Sequence, residues 1–454
     1  MLFVKSGRKN EGAVIAGSLR NSLALLTLLS AGAFFAQVAA AQRSASPAIA
    51  SESGSRPESS FVASTGHDAV HGDKSESNRC SCGAPDANTS ATDDSLVADL
   101  QADLDSYLTQ RATIEHISAI SLSVSLRGQT TLNIKAGTTE YGGGAALPEK
   151  SLWQIGSNTK AFTAAILLQL EAEHVLSIED TVGKWLPEYP AWRKITIKQL
   201  LNMTSGIATY DAQPEFLDEY AAAPTTDFSP QRLIAYGEGI ALVPGWNYTN
   251  TGYQLAQLII DKATNDTYGH QLRKRLFQPL HLDDMVYRSN LYPPAIIDRM
   301  PAGYFYVKGT PQFAPLFGID VRPLSLSWGQ SAGGIVASTE ALAKWDRALY
   351  EGCVLQPTQQ RELESLVSEI TGEPIQETTP TDSTGFGLGV QQQNNSLGII
   401  WDYEGATFGF RMLHIYLPAS GAVITVGLNS DPDNDGIGNL GVSVLTTLQK
   451  AGKI

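Results

Sequence analysis

Ser157 and Lys160 stand three residues apart in the run Gly156-Ser157-Asn158-Thr159-Lys160, and this spacing is the first place where chemistry could occur. Three residues make about one helical turn, so a helix starting here puts the ammonium and the hydroxyl on one face. A Ser hydroxyl is inert at neutral pH until an adjacent base takes its proton. A Lys serves as that base when burial and nearby charge bring its pKa to about 7–8. The helix N-terminus adds free N–H groups and partial positive charge where an oxyanion would form. The same residues also describe an ordinary N-cap Ser with a solvated Lys, and taken alone that is the better reading. A second S-x-x-K, Ser6 to Lys9, shows how weak the pattern is by itself.

Tyr248-Thr249-Asn250 is the next candidate. In a chain with 16 tyrosines a Y-x-N arises by chance about once. Read functionally, the phenol relays the Ser proton and the amide orients the Lys and the substrate. Read plainly, Asn250 caps the next helix. A rival nucleophile is Ser331 in Gly329-Gln330-Ser331-Ala332-Gly333, a literal G-x-S-x-G. That pattern needs a strand before the Ser, a helix starting at it, and then an acid and a His in chain order. His414 is the sole His that follows, with Asp346, Asp382 and Asp402 as acids. The context argues against an elbow: Pro323 to Trp328 precedes it and a strand-like Ile335-Val336-Ala337 follows. Two glycines packing a tight turn is the simpler account.

The elements that must position these groups follow from periodicity. Leu96, Leu100, Leu104 and Leu108 recur every four residues, predicting an amphipathic helix with Asp94 or Ser95 as N-cap. Residues 117–126 and 130–136 read as strands joined at Arg127-Gly128. Helices are expected over 157–173, 195–203, 252–263, 271–276, 339–350 and 436–450. Residues 335–337 read as a short strand, and further strands are expected over 386–391, 410–417 and 422–428. Strands at both chain ends with helices between predict an α+β fold, an antiparallel sheet built from both termini plus an all-helical region.

Five runs then occur in order: Ser151 to Thr163, Leu200 to Gly206, Pro244 to Tyr253, Ser331 to Ile335, and Glu404 to Phe410. Over residues 97–450 the chain resembles the β-lactamase-related serine hydrolases: class C β-lactamases, D-alanyl-D-alanine carboxypeptidases and their esterase relatives. The resemblance implies a β-lactamase/penicillin-binding-protein-like fold without metal or organic cofactor. It implies Ser157 as the acylated nucleophile and Lys160 as its base. Tyr248 would transfer protons to the leaving group and from the deacylating water. Asn250 would orient Lys160 and bind the substrate amide. The third motif, K-x-G or H-x-G on an edge strand in such enzymes, corresponds to Tyr403-Glu404-Gly405. The N–H of Ala406 would pair with that of Ser157 as an oxyanion hole. Tyr403 departs from the pattern, because a phenol supplies no positive charge for a substrate carboxylate and Glu404 adds the opposite sign. Arg411 is the nearest alternative in sequence, and neutral ester or amide substrates gain weight. D-amino-acid peptides of cell-wall type are the implied natural target, with a non-catalytic binding protein of the same fold as the alternative.

Composition bounds the rest. With 32 Lys+Arg against 46 Asp+Glu, the net charge is −14, and no basic cluster offsets it, so nucleic acid is not an expected partner. A small-molecule or peptide substrate is. Lys5, Arg8, Lys9 and Arg20 precede an uncharged run from Ser22 to Ala41 that ends in Val38-Ala39-Ala40-Ala41. This is the pattern of a secretory signal over residues 1–41, with an uncleaved anchor as the alternative. Export to the periplasm or medium is expected, with no stable membrane insertion after cleavage. Residues 42–92 are roughly one-quarter Ser, with Phe61 their sole Phe, Tyr or Trp, and read as a disordered linker. The catalytic domain is then 93–454. Cys80 and Cys82 read as exposed thiols of that tail and Cys353 as standing alone. Asp431 to Gly436 begins like a calcium loop, but Val442 stands where a bidentate Glu belongs, so an acidic turn is expected.

Overall fold

The computed structural model describes residues 94–454, so the expected signal, the linker, Cys80 and Cys82 lie outside the described residues. Its main feature is a 10-stranded sheet in which every neighbouring pair is antiparallel. In spatial order the strands are Gly143–Ala146, Leu132–Glu140, Ala119–Ser125, Ala422–Leu428, Phe410–Leu417, Gly398–Thr407, Gln391–Asn395, Thr384–Phe386, Leu366–Ser368 and Pro374–Ile375. The two chain ends meet in the middle, where Ile120 lies opposite Leu428 and Val124 opposite Ile424.

The central strands are buried on both faces, and their alternation sorts side chains between two cores. Ile120, Leu122 and Val124 face a layer made by the helices Asp94–Glu115 and Ile437–Lys450, with Leu96, Leu100 and Leu104 against Leu440, Val444 and Leu448. Ser443 and Thr447 donate to the Asp103 carboxylate, both at 2.6 Å, and pin the two terminal helices together. On the other face Ser123 lies 2.8 Å from Thr339 and the Ser125 carbonyl accepts from Arg347 at 2.7 Å, so the helix Thr339–Tyr350 covers the serines. Beyond it lies the helical region, centred on Thr159–Ala172 and Thr251–Thr264, where Phe162 stacks on Trp345 at 3.8 Å.

The α+β plan agrees with expectation, and the strands Phe410–Leu417 and Ala422–Leu428 and the helix Thr339–Tyr350 match to the residue. Four expectations need correction. The first helix includes Asp94 and Ser95 within its first turn, so neither is its N-cap. The single strand expected over 386–391 is two, Thr384–Phe386 and Gln391–Asn395, because the chain reverses between them with Gly389 at φ +78°. Periodicity gave no strand over Gly398–Thr407, and only the resemblance implied one at Tyr403-Glu404-Gly405. Cys353 is disulfide-bonded and does not stand alone. Among the described residues no helix is long and apolar enough to cross a membrane.

Candidate active site

The short strand Trp153–Gln154 leads into a 3-10 turn, Gly156–Asn158, and then the helix Thr159–Ala172. Ser157 lies inside that turn and is not a helix N-cap. Asn158 anchors it: its Nδ2 donates to the carbonyls of Ile155 at 3.0 Å and Met412 at 2.8 Å. Its Oδ1 must then accept, which makes Nδ1 of His414 the donor at 2.6 Å and leaves Nε2 to accept from the Tyr350 hydroxyl at 3.0 Å. Burial pushes His414 down to about 3, so the ring is neutral. The Asp346 carboxylate 3.9 Å away is likewise pushed up by burial, and the two form no ion pair near neutral pH. His414 is a brace for the Gly156–Asn158 turn, on the strand where sequence placed it.

Lys160 is fully buried. Its Nζ lies 2.9 Å from Ser157 Oγ and 2.9 Å from the Ala332 carbonyl oxygen, with the Tyr248 and Tyr253 rings at 4.8 and 5.4 Å. Desolvation brings its pKa down to about 7, opposed by the negative charge of Asp211. Tyr248 sits on the segment before the helix Thr251–Thr264, which is held by Asn247 N–H to Met203 O at 2.8 Å. The Tyr248 hydroxyl donates to Ser157 Oγ at 2.7 Å, and the Tyr403 hydroxyl donates to Tyr248 at 2.9 Å. Burial raises both phenols far above the usual tyrosine range, so both keep their protons. With Lys160 neutral the chain of bonds has one direction: Tyr403 to Tyr248, Tyr248 to Ser157, Ser157 to Lys160, Lys160 to Ala332 O.

Tyr403, Gly405 and Ala406 come from Gly398–Thr407, which is an interior strand and not the edge strand expected. Its ladder to Gln391–Asn395 ends at Trp401, however, so the stretch carrying the motif is locally free on that side. The turn Gly156–Asn158 fills the gap. A Cβ added at Gly405 would stand 2.0 Å from Ile155 O and 2.7 Å from Ser157 N, and one at Gly156 would stand 2.7 Å from Ala406 N. Gly156 also holds φ at +50°, which a side chain resists. Only this close approach of two backbones brings the Ser157 and Ala406 amides together. Glu404 lies on the opposite face, where desolvation and the Asp435 carboxylate hold its carboxyl well above the usual range. It therefore adds no charge to the cleft. Arg411 does not reach it either: fully buried, it bonds Glu115 at 2.6 Å and pairs with Asp435.

Asn250 occupies the N-cap position of Thr251–Thr264 without capping it. Its Nδ2 donates to Asp211 at 2.7 Å, its backbone N–H donates to Thr209 Oγ1 at 3.0 Å, and its Oδ1 is buried without a partner. The hydrogen bonds of Lys160 go to Ser157 and Ala332, so Asn250 touches Lys160 only through the field of Asp211. Asp211 was missed in the sequence; the lone signal is an acid soon after Thr204-Ser205-Gly206 in an uncharged run. Ser331 is fully buried in the short helix Gln330–Gly333, donating to Tyr253 O at 2.7 Å. Its carbonyl accepts from Thr163 at 2.7 Å, and Ala332 next to it holds Lys160. The G-x-S-x-G run is thus a backbone support for Lys160 and its helix. Asp433 accepts from Lys308 N–H at 2.9 Å and Asp435 pairs with Arg411, so those acids of the Asp431–Gly436 run hold neighbouring protein groups.

Comparison with known proteins extends the picture. The Beta-lactamase family model matches residues 104–448. Penicillin-binding protein 4* of Bacillus subtilis (strain 168) is 28% identical over 278 residues, 59% of this chain and 58% of the relative. The chain spans about half to two-thirds of the length of the curated relatives it matches. Among solved structures, a D-stereospecific amidohydrolase from Streptomyces sp. is 25% identical with a TM-score of 0.64, covering 77% of this chain and 97% of that one. The D-amino acid amidase of Ochrobactrum anthropi SV3, complexed with L-phenylalanine amide, is 22% identical with a TM-score of 0.66 over 79% and 99%.

Proposed function

The chain belongs to the beta-lactamase family, and from that premise we propose that it is an exported serine hydrolase cleaving an ester or amide through an acyl-enzyme on Ser157. The observation that carries this reading is the Ser157 hydroxyl held between a buried Lys160 with a pKa near about 7 and the Tyr248 phenol. Neutral Lys160 takes the Ser157 proton as Oγ attacks the carbonyl carbon. The oxygen that gains charge faces the amides of Ser157 and Ala406. Tyr248 gives its proton to the departing amine or alcohol and regains one from the Lys160 ammonium. The hydrogen bond from Tyr403 stabilises the charge Tyr248 bears during that exchange. Water then attacks the ester by the reverse route, and the same groups return the proton to Ser157.

Esters and amides of D-amino-acid type, as in cell-wall peptides, are the proposed substrates, supported by the fold shared with amide-cleaving enzymes. Export is supported by the basic and then uncharged residues 1–41. The test is hydrolysis of an activated ester by wild type, Ser157→Ala and Ser331→Ala, with intact mass read after mixing. Ser157→Ala should lose on the order of 10⁴-fold or more in kcat, and wild type should carry an acyl adduct on Ser157. Activity that follows Ser331 would overturn the assignment, and an inert wild type would favour a binding role.

A further inference from the structure

Once Lys160 is neutral, the site holds a negative charge that no cation among the described residues pairs with. Asp211 is buried, and its hydrogen bonds come from neutral donors, Thr209 Oγ1 and Asn250 Nδ2. A carboxylate removed from water is costly unless a cation completes it. Asp211 is held by Asn250 at 2.7 Å, two residues along the chain from the Tyr248 that bonds Ser157, and its charge opposes the lowering of the Lys160 pKa. Yet Lys160 must be neutral to act as base, and in that state the pocket has no counter-charge. A second acceptor lies next to it: Asn250 Oδ1 is buried without a donor, in a residue only 8% exposed. The third motif supplies the neutral Tyr403, and Arg411 is consumed elsewhere. The site thus offers acceptors and negative charge where recognition of a substrate carboxylate would need donors and positive charge.

We propose that Asp211 and Asn250 Oδ1 receive a protonated amine carried by the acyl half of the substrate. The preferred substrates are then aminoacyl amides or esters with a free amino group, over N-acylated or carboxylate-ended compounds. This rests on the reading of Ser157 as an acylated nucleophile. Binding the amine satisfies the orphaned oxygen and neutralises Asp211 at the moment Lys160 is free of its proton. The ammonium does for the pocket what a protonated Lys160 does in the empty site.

The test uses the alanine p-nitroanilides of both hands and their N-acetyl counterparts, with p-nitrophenyl acetate as a general acyl donor. Wild type should favour the free amine by roughly ten- to a hundredfold in kcat/KM, chiefly through KM. Its KM for the free amine should rise as pH passes the amine's own pKa of about 8, while that of the N-acetyl compound stays level. Asp211→Asn, nearly isosteric, should collapse the ratio between the two. Equal use of both compounds by wild type would overturn the proposal. So would an Asp211→Asn variant slowed by the same factor on both with a displaced pH profile, the result of an acid that acts only on Lys160 and Asn250. Failure of wild type on p-nitrophenyl acetate, with no acyl group on Ser157, would sink the hydrolase reading beneath it; ester turnover without an amine preference sinks this proposal alone.

Discussion

In the proposed mechanism Lys160 is two things at successive moments, an acceptor for the Ser157 proton and then its donor, and burial is what makes both available near neutrality. An exposed lysine with its usual pKa near about 10.4 would be almost wholly protonated at pH 7 and could not accept. Here desolvation brings the value to about 7 against the opposing field of Asp211. The sign is fixed: the base form is the deprotonated one, so kcat/KM should rise about tenfold per pH unit below 7 and level off above it. Initial rates between pH 5 and 9 on an ester without titratable groups would show this, and a profile flat through 7 would remove Lys160 as the base. The same shift bears on stability. Between about 7 and 10.4 the unfolded chain binds a proton at Lys160 that the folded chain does not, so this group's contribution improves as pH rises through that window. At this scale Ser157, Lys160 and Tyr248 were legible as types and spacings, and Tyr403 only through the resemblance. Asp211 was not, because its significance comes from contact with Asn250 at 2.7 Å and from burial, neither of which a sequence records.

The elements contribute by bringing two backbones unusually close, and glycine permits it. Gly405 passes the nucleophile turn so tightly that a methyl group there would overlap Ile155 O at 2.0 Å. Gly405→Ala must therefore push Gly398–Thr407 away from Gly156–Asn158 and separate the two amides facing the reacting oxygen. Loss of one such donor elsewhere costs about 10²–10³ in kcat; a similar fall is expected here, with KM changed less. Steady-state kinetics on an activated ester would decide it, and a variant with unchanged kcat would mean that Ala406 takes no part. The strand that carries Gly405 was also the one the pattern did not disclose. Its residues Gly-Ile-Ile-Trp-Asp-Tyr-Glu-Gly-Ala-Thr alternate poorly, with Trp401, Asp402 and Tyr403 all buried, since packing on both faces erases the period of two. Phe410–Leu417 and Ala422–Leu428 were legible despite similar burial, being continuous runs bounded by Gly409 and by the turn before Ala422. The helix Thr339–Tyr350 was legible because Ser338 marks its start, with a side chain that accepts from Ala341 N at 3.1 Å.

At the scale of the whole molecule, a sheet made from both chain ends closes only if those ends are fastened, and Arg411 is one fastening. It lies on Phe410–Leu417, bonds the Ser430 carbonyl and the Glu115 carboxylate each at 2.6 Å, and pairs with Asp435. Glu115 ends the first helix and Asp435 precedes the last, so one buried guanidinium joins three segments far apart in sequence. Arg111 supports the arrangement, reaching both Glu115 and the Asn434 side chain. Removing the guanidinium alone strands the Asp435 carboxylate in the interior and leaves Glu115 with Arg111 and Tyr107 as its partners. Arg411→Met should therefore lower stability by about 3–5 kcal/mol, measurable as a reduced midpoint in urea. Adding Glu115→Leu and Asp435→Asn should restore much of the loss, because a buried network is costly to break and less costly to replace with uncharged groups of similar size. The same variant separates structure from recognition. Arg411 does not reach the cleft, so turnover per active site, counted by the acyl burst, should stay within about twofold of wild type for whatever fraction remains folded. Normal stability combined with weakened binding of carboxylate-bearing ligands would place Arg411 in the substrate pocket and reverse the assignment.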